Sequence, residues 1–182
     1  MKRVVHSLAH RLITFTAYLF SRLQPRLAWK NWLRFLNDQG IRFAHYEKEQ
    51  FTEFTFSLDD ERMIRFRANL EDGVLHYASS LTFGEYALDT DYVLKLSAHL
   101  NTLISWGVIR VYADRGVIEY HYRTRSSEYA LYPERIEGDF FRMYGMAQDL
   151  LWTMQEMSKT GDDPLFVVAE LMRRREKITP QS

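Results

Sequence analysis

Residues 52–81 read TEFTFSLDDERMIRFRANLEDGVLHYASSL, and the alternation in this stretch decides the fold. Phe54, Phe56 and Leu58 occupy every second position; Ile64, Phe66, Ala68 and Leu70 repeat the pattern, followed by Leu75, Tyr77 and Leu81. Period two marks a strand with one buried face, because successive side chains point to opposite sides of a sheet. Asp59-Asp60-Glu61 and Glu71-Asp72-Gly73 break the runs with turn-forming residues. The stretch predicts three antiparallel strands in a meander.

Upstream, residues 41–46 form a short or irregular strand candidate. Residues 27–39 carry Trp29, Trp32, Leu33 and Leu36 at helical spacing and stop at Gly40, a good C-terminal capping residue. Downstream, Asp89 or Thr90 can cap a helix reaching about Trp106, with Val93, Leu96, Leu100, Leu103 and Ile104 on its core face. Gly107 ends it. Residues 108–113 and 117–123 then predict a hairpin around Asp114-Arg115-Gly116, with Ile109, Val111, Ile118, Tyr120 and Tyr122 inward. A loop with Pro133 leads to a helix over about residues 138–158. Asp163 and Pro164 open a last helix to about Lys177. The order predicts an α+β fold: an antiparallel sheet, meander plus hairpin, with helices on one face and further N- and C-terminal helices.

The chain has 182 residues, enough for one domain with appendages. At 46% hydrophobic and 15% aromatic it can build a core, which excludes a disordered or fibrous chain. It has no cysteine, so disulfides, thiol nucleophiles and cysteine-held metals are excluded. Its 24 basic and 24 acidic residues balance, but unevenly. Lys2, Arg3, Arg11, Arg22, Arg26, Lys30 and Arg34 precede the first acid, Asp38. Taking those seven from 24 leaves 17 basic against 24 acidic residues in the remainder, a net of −7. A body so charged repels phosphate backbones, and Tyr77, Tyr112 and Tyr120 alone make a weak case for base stacking, so no nucleic-acid partner is expected.

The basic start is also amphipathic. Val4, Val5, Leu8, Leu12, Phe15, Leu19 and Leu23 fall on one helical arc, opposite Arg3, His6, His10, Arg11 and Thr14. Pro25 is expected to separate this arm from the next helix. The uncharged run from Leu12 to Ser21 is too short to span a bilayer, which takes about 20 apolar residues. Ala28 finds Arg26 where a leader cleavage site needs a small residue, so the chain reads as uncleaved and cytoplasmic. Two readings of the arm stand: Leu8, Leu12, Phe15 and Leu19 pack on the domain or a partner copy, or they lie on an anionic membrane surface. The expected division is an arm over 1–24, an α/β domain over 25–160, and a C-terminal helix and tail over 161–182.

Alternation places Arg65, Arg67, His76, Arg110, Glu119, His121 and Arg123 on the outward face of the sheet. That face is either simply wet, as antiparallel sheets commonly are on one side, or a polar surface for a protein partner. An active site is the weakest reading, because no acid–base pair or nucleophile with its base stands out. No glycine-rich phosphate loop, histidine–glutamate metalloprotease helix or nucleophile elbow is present. His6 and His10 share a helix face but lack an acidic third ligand nearby, and Asp59-Asp60-Glu61 lacks calcium-loop spacing. No catalytic, metal or cofactor residue is assigned. Met143, Met146, Met154 and Met157 of the fourth helix read as core, or as an adaptable interface.

Trp32-Leu33-Arg34-Phe35-Leu36, Phe54–Leu58, Leu75-His76-Tyr77, Leu100-Asn101, Gly107 and the hairpin from Val108 to Tyr122 together resemble the YbjN-like family. That family shares a fold with class I type III secretion chaperones. The resemblance covers about two-thirds of the chain, from about Trp32 to Met157. It implies a small, often dimeric α/β protein that binds proteins or acts in regulation without a cofactor. It has no catalytic residue to carry over. The expected role is a non-enzymatic protein-binding or regulatory module and homodimer, with the peripheral membrane protein as the alternative.

Overall fold

The computed structural model describes Thr16, Phe20, residues 23–57 and residues 63–178. The turn Asp59-Asp60-Glu61, the inward position of Leu58, and the arm residues Leu8, Leu12, Phe15 and Leu19 lie outside the described residues. So do His6 and His10.

The protein is α+β. A helix, α1, runs over residues 23–38 and ends where Gly40 takes a left-handed φ of +67°, its N–H bonded to the Asn37 carbonyl. The expected break at Pro25 does not occur, since Leu23 and Gln24 are already helical. Proline fits the first turn of a helix and need not end one. Four strands follow: β1 Ala44–Tyr46, β2 Phe51–Ser57, β3 Met63–Glu71 and β4 Val74–Thr82. A single 3-10 turn at Gly84–Tyr86 leads to α2, Thr90–Leu103, whose cap is Asp89: its carboxylate accepts from the Asp91 N–H at 3.0 Å. Strands β5 Val108–Tyr112 and β6 Val117–Arg125 come next, then α3 Ser126–Leu131, α4 Arg135–Thr160 and α5 Pro164–Ile178.

Several boundaries differ from the sequence reading. Helix α2 stops at Leu103 instead of Trp106, because Ile104 is extended and the chain must double back to start β5. Helix α4 starts at Arg135, three residues before Gly138. The segment read as a loop before it contains α3, which is only six residues long, too brief for a periodic signal.

All neighbouring strands are antiparallel, in the order β1-β2-β3-β4-β6-β5. The chain leaves β4, crosses through α2 to the far edge as β5, and returns to fill the gap as β6. The inward sets read from alternation are the ones that face the helices. Phe54 pairs with Phe66, their rings stacked at 5.4 Å, and Tyr77 pairs with Tyr122. Trp32 of α1 meets the Tyr77 ring edge-on at 5.1 Å and donates from its indole N–H to the Thr52 hydroxyl at 3.0 Å. Phe140 of α4 packs on Phe35, Phe54 and Phe66, so α1, α4 and the sheet share one aromatic core. Burying such rings stabilises the fold, alongside the aliphatic core of Ile64, Leu75, Leu96 and Leu150.

The four methionines of α4 are all buried in this core, as are Trp29 and Trp32 of α1. Their side chains are core, so any contact that these two helices make with a second copy falls to their exposed residues. Among the described residues, no helix is long and apolar enough to cross a membrane.

Candidate functional site

Rows of side chains cross the face of the sheet that the helices leave open. The central row runs Arg67, Ala78, His121 and Val108; beside it lie Arg65, Ser80, Glu119 and Arg110, and on its other side Asn69, His76 and Arg123. Alternation in four separate strands thus brings the seven candidate residues to one surface.

Glu119 organises it. Only 3% of this residue is exposed, and an acid so buried needs partners. Arg67 pairs with its Oε1, the Ser80 hydroxyl donates to the same oxygen at 2.9 Å, and His121 Nε2 lies 2.9 Å from Oε2. Tyr112 stands 3.3 Å from that same ring nitrogen, and Arg115 covers the Tyr112 ring at 4.2 Å. Burial lowers the His121 pKa below its ordinary value; Glu119 pulls it back up, while Arg110 and Arg67 push it further down. Both carboxylate oxygens are engaged and the imidazole is tied to one of them. The arrangement locks long side chains in place.

Beside this lock is a shallow concavity of about 310 Å³. Its floor is Ala78, whose small side chain leaves space between Arg67, His76, Arg110, His121 and Arg123, with Phe51, Asn69 and Glu71 completing the rim. Arg67 is neutralised by Glu119. Arg110 and Arg123 are exposed, and among the described residues neither pairs with a carboxylate. Arg65 does not join the concavity; it stands one row away, 3.4 Å from Glu53. Ser80 and Ala78 were missed by the sequence reading, which weighed Tyr112 only for base stacking. The parity of both positions pointed outward, but a serine and an alanine carry no charge to draw notice.

The inner face holds a second polar cluster. Asp139 of α4 is buried and accepts from the Tyr122 and Tyr129 hydroxyls, each at 3.1 Å, while Arg142 reaches its other oxygen at 3.0 Å. The Tyr77 hydroxyl lies alongside Tyr129 without a well-formed hydrogen bond. Burial raises the pKa values of Tyr77, Tyr122 and Tyr129, keeping them neutral. This cluster ties α3 and α4 to β4 and β6 from beneath. Tyr77 and Tyr120 are buried on the inner face and Tyr112 lies on the outer one, so the three share no stacking platform. Among the described residues, no three metal-binding side chains converge.

What the fold and face define is an open antiparallel sheet with helices on one side and a mostly cationic concavity on the other. No family model matches the chain, and no curated protein does. Among solved structures it is similar to that of YbjN from E. coli, described as a candidate transcription regulator. The TM-score is 0.47 at 11% identity, over 69% of this chain and 87% of that one. Similarity of this degree says nothing about activity.

Proposed function

We propose that the protein is a non-enzymatic binding module whose open sheet face docks an acidic segment of a protein partner. The observation that carries this reading is the pair of uncompensated guanidinium groups, Arg110 and Arg123, rimming a concavity floored by Ala78. A carboxylate entering there meets Arg forks suited to bidentate pairing, on a surface already stiffened by the Arg67–Glu119–His121 lock. The same lock argues against catalysis, since it occupies the acid and the base that a reaction would need. The homodimer is part of the proposal. With the tryptophans and methionines buried, it would use exposed side chains such as Leu131, Tyr132 and Phe141. Light scattering that returns the monomer mass removes that part.

The experiment is a titration with a fluorescent peptide rich in Asp and Glu, followed by anisotropy. Binding should weaken with salt, and by roughly tenfold or more in Arg110→Glu/Arg123→Glu, with an unchanged thermal midpoint because both side chains are exposed and unpaired. Equal affinity in the double variant overturns the reading.

A further inference from the structure

Helix α1 has two sides. Ala28, Trp29, Trp32 and Leu36 are buried against the sheet and α4. On the opposite side, Leu23 and Leu27 are exposed by 57% and 43%. At about 100° per residue these two fall within roughly 40° of one another, on a side pointing away from the domain. Arg26 and Lys30 border that side and Arg34 extends it; all three are exposed, and among the described residues none pairs with a carboxylate. No acidic residue occurs before Asp38. Exposed leucines edged by three cations, with Asp38 at the far end as the helix's one acid, follow the pattern of a helix lying in a lipid interface. A lone apolar stripe would fit many occupants, whereas the three cations and the lack of any acid before Asp38 select an anionic bilayer.

We infer that the exposed Leu23 and Leu27 of α1, with Arg26, Lys30 and Arg34, dock the protein on an anionic membrane surface. The helix sits in the plane of the interface, its apolar residues at the headgroup boundary and its cations among lipid phosphates. Because α1 covers the inner face of the sheet, this orientation leaves the outer face, with Arg110 and Arg123, turned towards solvent and free for a partner. The inference does not depend on the sheet-face reading: the two surfaces share no residue, and either can fail alone.

The test uses the full chain with phosphatidylcholine–phosphatidylglycerol vesicles and, in parallel, vesicles of phosphatidylcholine alone. Co-sedimentation should favour the anionic vesicles, and Leu23→Glu/Leu27→Glu or Arg26→Glu/Lys30→Glu should weaken it roughly tenfold or more. The chain has no cysteine, so Leu27→Cys can carry a single polarity-sensitive fluorophore, which should shift to the blue on anionic vesicles only. That readout needs no destabilising change. Equal binding to both vesicle types, or no probe shift, overturns the inference. So does light scattering showing a dimer that Leu23→Glu/Leu27→Glu splits, which would make a second copy the occupant.

Discussion

The side-chain amide of Asn101 finishes the outer edge of β5. Its Nδ2 donates to the Ile109 carbonyl at 2.9 Å and its Oδ1 accepts from the Ile109 N–H at 2.8 Å. Strand β5 ends the sheet, so these peptide groups face away from β6 and would otherwise be open to another chain's strand. A residue of α2 thus stands in for a seventh strand at one position.

Replacing Asn101 with alanine removes both bonds and leaves two polar groups at the edge. The expected loss is about 1–3 kcal/mol, read by thermal or urea unfolding. Asn101→Asp should also destabilise, because a carboxylate cannot donate to the Ile109 carbonyl. Wild-type stability in both variants would show that water satisfies the edge equally well.

Gly107 turns the chain from α2 into β5 with a φ of +77°. A Cβ there would meet the Tyr120 ring at 2.6 Å and crowd the His121 carbonyl, and the Tyr120 hydroxyl clamps the same loop by donating to the Trp106 carbonyl at 2.7 Å. Gly107→Ala combines left-handed strain with overpacking, so it should cost roughly 2–5 kcal/mol. Gly116→Ala, with a similar φ but open space around it, should cost less. Equal losses in a side-by-side melt would mean that backbone strain alone decides.

His121 should make stability depend on pH. Burial lowers its pKa below the ordinary 6.5, so the unfolded chain binds the proton more tightly than the folded one. The contribution is complete above the unfolded value and is lost as pH falls through about 6.5 towards the lower folded value. Between about pH 7.5 and about pH 5, the thermal midpoint of the wild type should therefore drop more steeply than that of His121→Gln. Parallel profiles would assign the pH dependence to other groups.

The sequence by itself determined which residues form strands and which side each residue takes. Period two is a local property of the chain, and turn residues set its limits, so the inward set around Phe54, Phe66 and Tyr77 and the outward set around Arg67 and His121 could both be read directly. Caps were legible for the same reason: Asp89 and Asp163 each accept from the N–H two residues on. Charge was legible too, down to the absence of any acid before Asp38, the last residue of α1.

Only the tertiary structure decided what those faces became. Strand β6 enters between β4 and β5, and that placement brings Glu119 beside Arg67 and Ser80, 52 and 39 residues away in the chain. No local pattern marks such a pairing, because register between distant strands is set by the packing of the whole sheet. The burial of Glu119, the concavity over Ala78 and the reach of Asn101 to Ile109 all depend on it. So does the fate of the apolar helices: spacing shows that a stripe exists, but only packing shows that Trp32 and Met154 are covered while Leu23 and Leu27 are not.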